Sequence, residues 1–84
     1  MVRVWLVDRQ FDSKGLVRLT YATEDGERVH TKELAERRLV MGGGVTAGRD
    51  VDEAALGEAP ADEIERFAAE ASRMAADHDL DETV

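Results

Sequence analysis

Residues 60–78, PADEIERFAAEASRMAADH, decide the architecture of this chain. Ile64, Phe67, Ala68, Ala71, Met74, Ala75 and His78 recur at steps of three and four. On a helix that spacing gathers them on one stripe and leaves Glu63, Glu65, Arg66, Glu70, Ser72, Arg73 and Asp77 to the other faces. Asp62 can cap the first free backbone N–H groups, with Glu65 three residues on as a capping box requires. Pro60 suits a helix entry. These signals predict a helix over 61–78. A single helix of this length is marginal in water, so its apolar stripe needs a surface to cover.

The first third of the chain supplies that surface. Residues 2–11 are rich in β-formers and read as a strand, but an unusual one. Val2, Val4 and Leu6 point one way, while Trp5, Val7 and Phe11 point the other with Arg3 and Arg9. A strand that is apolar on both sides is generally covered on both. Asp12-Ser13-Lys14-Gly15 is turn chemistry. A second strand over 16–23 alternates Val17, Leu19 and Tyr21 with Arg18, Thr20 and Ala22, and Glu24-Asp25-Gly26 closes a hairpin onto a third strand over 27–32. Two registers compete. A two-residue loop pairs Tyr21 with His30 and drops Val29 among polar residues; a three-residue loop pairs Tyr21 with Val29 and Leu19 with Thr31. Because a one-residue slip turns every side chain over, the apolar pattern selects the three-residue loop.

The middle is less regular. Residues 32–41 carry good helix formers after Thr31 as a cap, ahead of Gly42 as a stop, and are read as a helix in preference to a longer third strand. A glycine-rich loop follows over 42–50, in which Val45-Thr46-Ala47 could form a short edge strand, and then a short helix over 52–56 stopped by Gly57. Residues 79–84 form an acidic tail expected to fray. The expected fold is therefore a single α+β domain: a three-stranded antiparallel β-meander, a middle helical and loop segment, and a long C-terminal amphipathic helix packed on the sheet.

The net charge of −8 is unevenly distributed. Residues 1–49 hold nine Lys or Arg against seven Asp or Glu, and residues 50–84 hold two against twelve. The acidic half cannot serve a polyanion, since each phosphate contact needs a cation. With no cysteine there is neither a disulfide nor a thiolate metal site, and neither a signal-peptide pattern nor a membrane-length apolar run is present. A cytoplasmic location follows as the expectation. Only Lys14 and Lys32 among the eleven basic residues are lysines, beside abundant Asp, Glu and Ala. In that composition the chain resembles small acidic proteins of salt-loving archaea, a resemblance that implies adaptation to molar salt and no particular activity.

Motifs for chemistry are weak. Met41-Gly42-Gly43-Gly44-Val45-Thr46 lacks the lysine a phosphate loop requires. Asp77, His78, Asp79, Asp81 and Glu82 offer oxygen and imidazole ligands but no calcium-loop spacing. His30 beside Glu33 or Glu36 is an acid–base pair only on paper, without a pocket to hold substrate. Catalytic residues, metal and cofactor are accordingly not expected, and the chain reads as a non-enzymatic protein-interaction module. With a thin core and a first strand apolar on both sides, homodimerisation through Val2, Val4, Trp5, Leu6 and Val7 is the expected partnership. The alternative is a single-stranded RNA or DNA surface: the selected register gathers Arg18, Arg28, His30 and Lys32 on one sheet face, where an exposed Trp5 would serve for stacking.

Overall fold

A computed structural model describes residues 1–37 and 45–84. In it β1 (Val2–Phe11) lies between β2 (Leu16–Ala22) on one side and β4 (Gly48–Val51) on the other. Beyond β2 lie β3 (Arg28–Ala35) and the two-residue β5 (Gly57–Glu58), giving an antiparallel sheet in the order β4-β1-β2-β3-β5. Between β4 and β5 the chain crosses from one edge of the sheet to the other through a 3-10 turn at Glu53–Ala55. It then returns over the sheet as helix α1 (Ile64–Asp77).

The first strand and the helix follow the sequence. All seven stripe residues of α1 are buried or half-buried, with Phe67, Ala71 and Met74 the most enclosed. The start differs. The backbone N–H of Glu63 donates to the Pro60 carbonyl at 2.9 Å, so residues 61–63 form a turn and the α-helix begins at Ile64. Glu63 takes the N-cap position without a side-chain cap bond, its carboxylate pairing with Arg66. The expected Asp62 capping box is therefore not formed.

The hairpin register is the main correction. Tyr21 pairs with His30 and Ala22 with Val29, the alternative the apolar pattern had argued against. The loop is fixed by its own polar groups. Thr23 N–H donates to the Arg28 carbonyl at 3.0 Å, and the Asp25 carboxylate accepts from the Thr23 hydroxyl and the Glu27 N–H at 2.5 and 3.0 Å. Those two bonds hold the Asp25 carboxyl below its usual range. Val29 is still half-buried, because the presumed polar side is the one the helix covers. Trp5, Ala22 and Val29 form a row on that side, and Asp8, along the same side, reaches Arg66 of α1 at 4.0 Å.

The opposite side carries Val4, Leu6, Val17, Leu19 and Tyr21, all buried. Part of its cover is identifiable: the Tyr21 hydroxyl donates to the Thr46 carbonyl at 3.2 Å, and Val45, Ala47 and Leu56 pack into the same core. Between Leu6 and Asp8 the register of β1 shifts by one residue, a β-bulge at Val7 that re-aims the rest of the strand. After it Asp8 and Gln10 stand beside Thr20 and Arg18, and Arg9 and Phe11 beside Leu19 and Val17.

Three further expectations change. Residues 32–35, read as the start of a helix, continue β3 to Ala35; helical conformation begins at Glu36 and Arg37, and the rest of that proposed helix, with the triple glycine, lies outside the described residues. Within the proposed 42–50 loop, residues 48–50 belong to β4, which pairs with β1 and is reinforced by the Arg3–Asp50 ion pair at 3.1 Å. Residues 79–84 do not fray: they hydrogen-bond along residues 45–48.

Gly26 holds φ +75, and a Cβ there would lie 2.2 Å from the Ile64 carbonyl oxygen and 2.6 Å from the Ala68 nitrogen. Gly26→Val is expected to cost about 3 kcal/mol, from backbone strain and from pushing the helix away; a urea midpoint like that of the wild type would refute this hairpin–helix contact. Met74, 6% exposed, sits in the helix–sheet contact. Met74→Asp should lose about 4 kcal/mol or more, read as loss of the cooperative thermal transition.

Candidate functional site

The structure divides the predicted basic face. In the observed register Arg28, His30 and Lys32 share a side with Tyr21, whereas Arg18 lies on the other side opposite Glu33. The one-residue difference in pairing is the cause. Arg18 donates from Nε and Nη2 to Glu33 Oε1 at 3.2 and 2.8 Å, and Arg28 approaches Glu53 at 3.4 Å. The His30 Nδ1 lies 3.2 Å from the Ala55 carbonyl oxygen. Trp5 is 6% exposed, so it offers no ring for stacking; its indole N–H is buried without a hydrogen-bond partner among the described residues. Arg18 and Arg28 are thus neutralised locally, and the expected single cationic platform with an exposed tryptophan is not formed.

The predicted apolar interface also changes character. Val4, Trp5, Leu6 and Val7 are all buried within one chain, and Val2 is half-buried. Helix α1 covers one side of β1 and the crossing segments the other. The strand was correctly read as needing two covers, but the chain supplies both itself, so these side chains present no open apolar surface.

The exposed apolar surface lies at the far end of the same strand. Phe11 is 61% and Leu16 is 41% exposed, on either side of the 12–15 turn. That turn is rigid. The Asp12 carboxylate accepts from the N–H groups of Lys14 and Leu16, each at 2.9 Å, the Asp12 N–H donates to the Leu16 carbonyl at 3.0 Å, and Gly15 adopts φ +80. Glu36 N–H donates to the Gly15 carbonyl at 2.7 Å, tying the turn to the end of β3. Beside it is a hollow of about 290 Å³ lined by Gln10, Phe11, Leu16, Val17, Arg18 and Glu33. A preformed turn holding two apolar side chains in solvent beside a fixed ion pair suits contact with another surface. The alternation of β1 placed Phe11 on the strand; the bulge at Val7, which aims it, left no signal in the sequence.

Two other concavities were not foreseen. One, of about 510 Å³, lies between β1 and α1 with Leu6, Val7 and Met74 as floor and Arg9, Glu70, Arg73 and His78 at its rim. The other, of about 350 Å³, lies on the Tyr21 side and is lined by Lys32, Leu34, Arg49, Leu80 and Asp81 among others. Arg49 stands over the Tyr21 ring at 5.9 Å from its centroid. Among the described residues no group of three or more His, Cys, Asp or Glu is placed to hold a metal ion. The acidic run instead pairs within itself and with the helix: His78 Nδ1 contacts Glu82 and lowers that carboxyl's pKa, and Asp77 approaches Arg73 at 3.9 Å. Among the described residues no helix is long and apolar enough to cross a membrane.

These features define a small α+β domain whose first strand is enclosed on both sides and in which Arg3, Arg18, Arg28, Arg66 and Arg73 pair with carboxylates. The chain belongs to a family of unknown function, DUF7967, whose model matches residues 1–84. No curated protein and no solved structure matches it.

Burial pushes the Tyr21 hydroxyl above its usual pKa, more than its bond to Thr46 and the nearby Arg49 and Arg9 lower it. The neutral phenol therefore adds stability that is complete below the ordinary tyrosine range and is lost as pH rises through the raised value. Tyr21→Phe should cost about 1 kcal/mol at neutral pH from the lost hydrogen bond and should shift the alkaline unfolding transition upward. Urea titrations at neutral and alkaline pH test both; an alkaline limb identical to that of the wild type would show that Tyr21 does not set it.

Proposed function

We propose that this chain is a non-enzymatic protein-interaction module that associates with a second copy of itself in a salt-rich cytoplasm. The observation that carries this reading is the exposure of Phe11 and Leu16 on a fixed turn, in a chain that encloses the rest of its sheet's large apolar side chains more fully. The acidic surface fits the setting, because carboxylates keep a protein hydrated and dispersed while salt screens repulsion between copies. In such a medium ion pairs contribute little to association, and apolar contact has to supply it. Two side chains and the rim around them bury less than the ~800 Å² per partner of a standard interface, so the association is reversible and on the order of micromolar or weaker. The single-stranded nucleic-acid alternative loses its main support when Arg18 and Arg28 pair with Glu33 and Glu53.

Light scattering over a concentration series, at low and at molar KCl, tests the proposal. The wild type should move toward twice the chain mass, most clearly at high salt, while Phe11→Ser/Leu16→Ser should stay monomeric over the micromolar range with its melting temperature unchanged, since both positions are exposed. A wild type that remains monomeric at the highest concentration in both salts overturns the reading.

A further inference from the structure

Residues 79–84 turn back after the helix and bond along residues 45–48, with Thr46 and Thr83 forming an isolated antiparallel bridge. After α1 the chain is extended at His78, with φ −135 and ψ 152, makes a turn in which Glu82 N–H donates to the Asp79 carbonyl at 3.1 Å, and lays residues 82–84 antiparallel along residues 45–47. Gly48 N–H donates to the Leu80 carbonyl at 2.9 Å, Ala47 N–H to the Glu82 carbonyl at 2.7 Å, and Val84 N–H to the Val45 carbonyl at 2.8 Å. Thr46 and Thr83 face each other between them. The other edge of the same segment belongs to the sheet, where Leu6 N–H donates to the Ala47 carbonyl at 2.8 Å. Residues 45–48 therefore present a strand edge that accepts a partner through backbone bonds, as an exposed sheet edge does.

The edge also has a side-chain seat. A Cβ on Gly48 would lie 2.7 Å from Leu80 Cδ1 and 2.9 Å from Trp5 Cε3, so the leucine and the chain's one tryptophan meet over the glycine. Cations flank the seat: Arg9 Nη2 donates to the Val84 carbonyl at 3.4 Å, and Arg49 lines the same hollow as Leu80 and Asp81. The segment they receive carries Asp79, Asp81 and Glu82. Apart from Leu80, which packs against the core, all its side chains are exposed, and the His78–Glu82 pair holds it to the helix end. Backbone bonds, one leucine seat and a screened charge match fasten it.

We propose that the 45–48 edge is an acceptor site for residues 79–84 of a second copy, with Leu80 of the incoming chain over Gly48 and Trp5. The choice of occupant rests on the self-association reading above, but the contact is separate from Phe11 and Leu16. The intrachain contact is the template: a segment that fits this edge is acidic, carries a leucine in a turn two residues after the helix cap, and ends in residues that bond along the edge. Tethering gives the intrachain segment an effective concentration in the millimolar range, so exchange becomes visible at comparable protein concentrations.

The chain has no cysteine, so Thr83→Cys in the full chain can carry a single nitroxide. Isotopically light, nitroxide-bearing chain is mixed at millimolar concentration with ¹⁵N-labelled wild type. Both carry Phe11→Ser/Leu16→Ser, so that the turn contact plays no part. Exchange is expected to broaden the Ala47 and Gly48 amides of the labelled chain, and Leu80→Asp on the nitroxide-bearing chain should restore them. If Thr83→Cys unfolds the chain, Val84→Cys replaces it. No broadening, or broadening unaffected by Leu80→Asp, overturns the acceptor site and leaves the turn contact standing. Broadening at 45–48 in a background whose wild-type turn gives no dimer would uphold the acceptor site and overturn the turn contact.

Discussion

Burial of β1 on both sides is the constraint from which the rest of the fold follows. Val4, Trp5, Leu6 and Val7 are four consecutive buried residues, and a pleated strand points successive side chains to opposite faces. One helix can cover only one of those faces. A chain of 84 residues must therefore lead its backbone around both sides of the sheet. It does so by placing β4 beside β1, crossing through the 3-10 turn to β5 at the opposite edge, and returning as α1. The bulge at Val7 belongs to the same solution. By shifting the register within β1 it lets Leu6 and Val7 both turn inward, and then sends Asp8 toward Arg66 and Phe11 out past the end of the cover.

How much of this was legible depends on whether a signal was local. The stripe from Ile64 to His78 is a periodicity within one element, and all its positions are enclosed as that period requires. The double-faced pattern of β1 was equally plain, and so was its consequence of two covers. What the sequence left open was who provides the second cover, because the segments that do so carry no periodicity of their own. Val45 and Ala47 stand among glycines and a threonine, and Leu56 ends a run of only three apolar residues. The hairpin register failed for a related reason. The argument that Val29 must avoid the polar side assumed one solvated face, and in a sheet covered on both sides that premise does not hold. Loop chemistry decided instead, through Thr23 and Asp25.

β4 and residues 79–84 show the same limit in reverse. Gly48, Arg49, Asp50 and Val51 are not a strand by propensity; they are one because β1 has an open edge beside them and Arg3 meets Asp50. Residues 79–84, polar and acidic, have every compositional mark of a frayed end. They are ordered by backbone groups, which composition does not report. Hydrogen-bonding edges are a property of the assembled sheet, so their occupants are the hardest elements to read from a sequence.

The charges follow a comparable logic. The positively charged groups looked like a platform because the expected register gathered Arg18, Arg28, His30 and Lys32 on one sheet face, within a basic first half of the sequence. In three dimensions the halves interleave: Arg3 meets Asp50, Arg28 meets Glu53, and Arg66 meets Asp8. Exposed pairs of this kind contribute little stability, and less as salt rises. Their consequence is that Arg3, Arg18, Arg28 and Arg66 already face carboxylates, while the excess of acids keeps the net charge negative. The two contacts proposed above use the non-ionic part of the surface, a protruding Phe11 and Leu16 and the edge of residues 45–48 that already accepts one peptide segment. Both act through apolar contact or backbone hydrogen bonds, the interactions that molar salt leaves intact.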